Sequence, residues 1–166
     1  MNAAAAQFNI EVAKVNLDRL TEDDINMVAG QWGSPIEAML SMLNELAWSG
    51  EEVETKEMMH LLSFKGASAA FRGGFWHTAL HAAASFHSIF TVKYLLIQKD
   101  VSKDERGLMS RIPLPLAAMR GHWEMVKELS SGRSTKFSED HEGRNVLHMA
   151  AGIGHLSVVR KLLENA

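Results

Sequence analysis

Cysteine is absent from all 166 residues, which removes disulfides, thiolate metal sites and a cysteine nucleophile together. That absence suits a reducing compartment and sets the expectation of a cytoplasmic protein. Long apolar runs are missing as well: no stretch approaches the ~20 residues needed to cross a bilayer, and no membrane partner is expected. The opening MNAAAAQFNIEVAKVNLDRL has no basic head followed by a continuous apolar run, so it does not read as a conventional secretory signal. Basic clusters are lacking too. Lys and Arg are scattered and the formal net charge is -3, so no global field would draw the chain onto nucleic acid. No glycine-rich loop follows a strand, and Arg72-Gly73-Gly74-Phe75 fits a hairpin better than a phosphate cradle. What remains is a chain with 46% hydrophobic and 22% charged residues, the balance of a soluble folded domain with room for a helical extension.

Internal repetition is the strongest positive signal. TALHAAASFHSIFTVKYLL (78–96), IPLPLAAMRGHWEMVKELS (112–130) and NVLHMAAGIGHLSVVRKLL (145–163) align without gaps. Leu80, Leu114 and Leu147 share a column, and so do the alanine pairs Ala83-Ala84, Ala117-Ala118 and Ala150-Ala151. Val92, Val126 and Val159 follow, then Leu95, Leu129 and Leu162. The alanines lie in a first helix, where small side chains let neighbouring helices approach. The Val and Leu columns recur at helical spacing and form one apolar stripe on a second helix. Gly121-His122 and Gly154-His155 mark a tight turn between the two, where glycine tolerates left-handed geometry. One such unit cannot bury its own apolar face, so the copies must stack into a shared core. Helix pairs are predicted at about 79–97, 113–131 and 146–164.

These residues resemble the ankyrin repeat, whose pattern reads roughly D-x-x-G-R-T-P-L-H-x-A-A-x-x-G-H. The third copy is the nearest, with Asp140, Gly143, Arg144, Leu147, His148, Ala150-Ala151 and Gly154-His155 in phase. The resemblance covers 71–166, divided at about 71–103, 104–136 and 137–166. It implies an all-α solenoid of paired antiparallel helices joined by short β-hairpins, and a role in binding another protein through a concave groove and hairpin tips. The copies also depart from the pattern. Trp76 stands where a hairpin glycine belongs, Ala79 replaces proline, and Pro115 replaces the motif histidine. KDVSKDERGLMSR (99–111) does not match the family's loop, so a reshaped hairpin is expected there.

The first half repeats the theme faintly. Ser34-Pro35-Ile36-Glu37 is a capping box with proline at the first helical position, and Ile36, Met39, Leu40, Leu43 and Leu46 keep one face apolar. Trp48-Ser49-Gly50 interrupts, and the pattern resumes from Val53 to Leu62. Residues 34–70 therefore read as a helical pair, either a degenerate repeat or an N-terminal cap. In the extension 1–33, Thr21-Glu22-Asp23-Asp24 starts another helix ending near Gly30. Residues 8–20 fit a strand through Phe8, Ile10 and Val12, or a helix through Ile10, Ala13, Leu17 and Leu20.

Eight histidines invite a metal or acid–base reading. The resemblance instead gives His81 and His148 a structural role, with the imidazole bonded to loop backbone, and gives Gly121, Gly143 and Gly154 the turn geometry. His77 and His81 are four apart, but His77 falls in a hairpin, and the glutamate and second histidine of a metalloprotease helix are missing. Acidic pairs such as Glu51-Glu52 and Asp23-Asp24 sit at helix starts, where the dipole favours them. No metal, cofactor or catalytic residue is expected.

Apolar residues also occur at positions that the family leaves variable. Phe86, Met119 and Ile153, with Arg120 alongside, would face the groove, flanked by Phe75 and Trp76 from the first hairpin. The tip residues His141, Glu142 and Arg144 complete the expected partner-binding set. For Phe75, Trp76 and Phe86 a second reading stays open, packing against the N-terminal segment. The function expected is protein–protein recognition without chemistry. The alternative is a targeting or regulatory segment of a larger enzyme, or of an effector that a bacterium delivers into a host cytosol, with a catalytic domain beyond residue 166. Leu156, Val158, Val159, Leu162 and Leu163 keep an interior repeat's apolar pattern at the end of the chain. Continuation into further repeats or another domain is therefore expected, or else self-association through the C-terminal face.

Overall fold

The computed structural model describes residues 21, 52–73, 77–130 and 138–164. The extension 1–33 apart from Thr21, the first helix of the 34–70 pair, and Phe75 and Trp76 lie outside the described residues.

Helix α1 (Glu52–Phe64) precedes a two-stranded antiparallel ribbon, β1 (Arg72–Gly73) and β2 (His77–Thr78), in which Arg72 pairs with Thr78 and Gly73 with His77. Three helix pairs follow: α2 (Ala79–Ser85) with α3 (Ile89–Leu96), α4 (Pro113–Met119) with α5 (Trp123–Leu129), and α6 (Val146–Ile153) with α7 (Leu156–Glu164). Each falls within the span its repeat predicted. The loop from α3 to α4 is reshaped as its sequence suggested, around a short 3-10 turn at Leu108–Ser110. Among the described residues no helix is long and apolar enough to cross a membrane.

Helix starts follow from local chemistry. The Thr78 hydroxyl accepts the His81 amide at 3.4 Å and caps α2. Pro113 opens α4 at a position whose N–H would have no helical partner. Asn145 caps α6 by accepting the amides of Leu147 and His148, while the His148 ring accepts the Asn145 amide at 3.3 Å. Gly154 ends α6 in left-handed geometry.

Helices α2, α4 and α6 stack side by side, α3 packs on α5, and α1 packs on α3. The repeat columns become the core. Leu80 and Leu114, Val92 and Val126, Leu95 and Leu129, and the alanines at 83, 84, 117 and 118 are all buried. The third copy differs on its far side: Val158 and Leu162 are buried, Leu147 and Val159 are half-buried, and Ala151, Leu156 and Leu163 are exposed. Trp123, expected in the core, is half-buried against it, with the Lys161 ammonium 5.1 Å from its ring centroid.

One turn is strained. His87 occupies the column of Gly121 and Gly154 and adopts φ 59°, beside 75° and 85° for those glycines. Left-handed geometry costs a side-chain-bearing residue roughly 1–2 kcal/mol, and glycine returns part of that through unfolded-chain entropy. His87→Gly is therefore expected to raise stability by up to about 1 kcal/mol, read as a higher urea midpoint. A lower midpoint would show that the His87–His122 ring contact, with centroids 3.9 Å apart, outweighs the strain.

Candidate protein-recognition surface

The groove positions sit at the C-terminal ends of the three stacked helices. Phe86 and Arg120 are the C-cap residues of α2 and α4, Met119 is the last residue of α4, and Ile153 is the last of α6. Repetition thus brings Phe86, Arg120 and Ile153 to equivalent places in successive units, with Met119 one position earlier, but their exposure differs. Ile153 is 55% exposed and Arg120 is exposed, Met119 is half-buried, and Phe86 is half-buried with its ring packed on the core. Phe86 therefore carries a packing role whatever else it does. The Met119 backbone is engaged as well, its carbonyl accepting the His155 Nε2–H at 2.9 Å.

That bond needs close approach. A Cβ added to Gly121 would lie 2.7 Å from His155 Nδ1, and Gly121 also has φ 75°. Gly121→Ala should cost about 1–3 kcal/mol through strain and displacement of the imidazole that joins the second and third repeats. A thermal midpoint within 1 °C or so of the parent would contradict that contact.

The tip of the third repeat is built around Asp140. Its carboxylate is buried and accepts from the amides of Glu142 (2.9 Å) and Arg144 (3.0 Å), from the Arg144 guanidinium (3.0 Å) and from Arg111 Nε (3.4 Å). Burial works to raise its pKa, but the amide and guanidinium of Arg144, the Glu142 amide and Arg111 together hold the carboxyl well below the usual carboxylate range. Gly143 turns the chain at φ 71°, and Arg144 reaches Glu142 at 2.6 Å. His141 lies over the α3–α4 loop, where its amide and Nδ1–H both donate to the Met109 carbonyl, at 3.2 and 2.9 Å. His141, Glu142 and Arg144 are thus a fixed turn, with His141 and Glu142 exposed and Arg144 half-buried.

The two motif histidines part company. His81 is buried and spans repeats, its Nε2–H donating to the Arg111 carbonyl at 3.1 Å. His148 is exposed and serves its own helix cap. Burial lowers the His81 pKa to about 4. Burial, together with the neighbouring His87, Arg120 and His155, does the same for His122, also to about 4. Among the described residues no three His, Asp or Glu side chains are grouped to hold a metal.

Arg111 and the exposed pair Leu108–Met109 are surface-shaping residues that spacing alone did not single out. The Asp140–Arg144 pair was visible as part of the repeat pattern. Leu108 and Met109 lie in the one loop that matched no pattern.

Helix pairs stacked in register, with their loops locked to one another by long-range hydrogen bonds, define a repeat-built scaffold that holds its surface in fixed geometry. The chain belongs to the ankyrin repeat family: the family model for ankyrin repeats in three copies matches residues 80–166. Such repeats are protein–protein interaction modules. The chain is similar to an ankyrin repeat domain-containing protein of Stachybotrys chartarum, with 33% identity over 165 residues, 99% of this chain and 8% of that protein. It is also similar to the E3 ubiquitin-protein ligase KEG of Arabidopsis thaliana, 28% identical over 91% of this chain and 9% of the relative. A probable E3 ubiquitin-protein ligase of Oryza sativa subsp. japonica, XBOS33, is 31% identical over 70% of this chain and 22% of its own length. The chain thus spans under a quarter of each of these relatives.

Proposed function

We propose that this segment is an adaptor that binds one partner protein through the C-terminal ends of α2, α4 and α6 and the loop tips beside them, in the cytoplasm and without chemistry of its own. The observation that carries this reading is the in-phase exposure of Arg120 and Ile153 at the ends of helices whose opposite faces are locked into a core. A surface whose backbone is already fixed by the stacked helices has that much less to lose on binding, which suits recognition. The test is affinity capture with the intact chain and identification of the bound protein, repeated with Arg120→Glu and Ile153→Glu. Both variants should keep the parent's unfolding midpoint and lose the partner. Retention of the partner by both would place the contact elsewhere.

A second reading is supported by the names of two relatives, both E3 ubiquitin ligases of which this chain covers a small share. In that reading the segment selects the protein on which a catalytic domain elsewhere in a larger polypeptide acts. Ubiquitin transfer to the captured partner by the full-length protein, lost with the variants above, would support it. Transfer that is indifferent to them would count against it.

A further inference from the structure

We infer that the tip of the α3–α4 loop, Leu108-Met109 with Arg106 beside it, is a preformed plug for a partner's peptide segment that carries apolar side chains next to a carboxylate; this rests on the recognition reading above and names one of its contacts.

Leu108 is 60% exposed and Met109 45% exposed, on a loop whose backbone is held by hydrogen bonds. Met109 and the following Ser110 are both left-handed, at φ 58° and 59°, although neither is glycine. Such geometry is costly and persists only where surrounding bonds over-determine it. Here they do. The Gly107 amide donates to the Arg111 carbonyl at 2.8 Å, and the Ser110 amide to the Gly107 carbonyl at 3.1 Å. The Met109 carbonyl receives two bonds from His141, and the Ser110 carbonyl receives Arg106 Nη1 at 2.7 Å. Strain held this way, with two adjacent apolar side chains turned outward, fixes a contact surface before any partner arrives.

The charge beside the plug sets the partner's chemistry. Arg106 is exposed, and its bonds among the described residues go to neutral oxygens: the Ser110 and Glu139 carbonyls and the Ser110 and Ser138 hydroxyls. Its neighbours differ, since Glu105 pairs with Arg72, and Arg111 and Arg144 pair with Asp140. Arg106 is therefore a positioned guanidinium whose described bonds neutralise none of its charge. A carboxylate next to apolar side chains is the complementary ligand.

A random peptide library displayed on phage, selected on the intact chain, supplies the probes. The enriched peptides are synthesised and titrated by fluorescence anisotropy. Sequences that pair Leu, Ile, Met or Phe with Asp or Glu are expected. Their affinity should fall roughly ten-fold or more with Leu108→Ser/Met109→Ser. Arg106→Gln should weaken binding and flatten its salt dependence. Leu156→Ala, at an exposed position of α7 outside either contact, should change little. Because Arg106 also holds the tip, unfolding midpoints are compared, and Arg106→Lys should recover part of the affinity. Peptides that ignore the Leu108/Met109 change but lose binding with Ile153→Glu would overturn the plug and leave the recognition reading standing. A selection yielding no peptide that depends on either place counts against both.

Discussion

Leu114→Ala should destabilise the protein by roughly 2–5 kcal/mol, a large share of the ~5–15 kcal/mol that holds a domain together. Leu114 is fully buried in α4, the middle member of the stacked helices, with α2 on one side and α6 on the other. Truncation removes its transfer free energy and leaves a cavity that neither neighbour can easily fill. Buried Ala117 and Ala118 hold the same helix in close approach, so inward collapse would break contacts on both flanks. The measurement is urea unfolding followed by circular dichroism. A lower midpoint with an unchanged slope reports lost stability in one cooperative unit. A shallower slope would show that the weakened middle repeat has let its neighbours unfold separately. Leu156→Ala on α7 is the control, the same deletion at an exposed position, and should cost under about 0.5 kcal/mol. A Leu114→Ala cost as small as that would contradict the core assignment.

The same column explains what could be read in the sequence. Leu80, Leu114 and Leu147 recur because each repeat must bury the same face, so periodicity reports the stack directly and the helix pairs lie where it put them. His87 could have been read further, since its column is otherwise glycine and its backbone follows the column. Contacts between loops leave no such trace. Arg111 reaches Asp140 across 29 positions, and His141 reaches Met109 across 32. No local pattern encodes which loop meets which, and the left-handed pair at Met109 and Ser110 is imposed by those partners. Phe86 shows the converse. Its column is variable in the repeat, which marks it for the surface, yet a phenyl ring at a helix end can fold back on nearby core. His148 lacks what His81 has, a following loop within the described residues to accept its ring N–H.

Acidification should weaken the fold between about pH 6.5 and pH 4, before most carboxylates are protonated. His81 is the principal cause. Its ring is buried, with Nε2–H donating to the Arg111 carbonyl and Nδ1 2.7 Å from the Thr78 hydroxyl. A carbonyl only accepts, so Nε2 bears the proton, and in the neutral ring Nδ1 accepts from Thr78. Both nitrogens are satisfied without charge, and burial opposes adding one, which lowers the pKa from 6.5 to about 4. The sign follows from proton counting. Between these values the unfolded chain binds a proton on His81 and the folded chain does not, so stability falls as pH falls. The loss begins below 6.5, is complete near 4, and amounts to about 3 kcal/mol for a ring this buried. His122, shifted the same way in a half-buried site, adds to the loss in the same window. Asp140 acts elsewhere, because a carboxyl held below its usual range loses its contribution only at still lower pH. Urea midpoints at pH 7, 6, 5 and 4 test the window, and the C2–H shifts of His81 and His122 in NMR report the two sites separately. His81→Gln should be less stable at pH 7, since an amide carries its N and O on one carbon and does not match the spacing of the two ring nitrogens, and should show a flatter decline towards pH 4. A variant whose decline matches the parent's would remove His81 as the cause, and a His81 resonance titrating near 6.5 would show that its ring is not buried in solution.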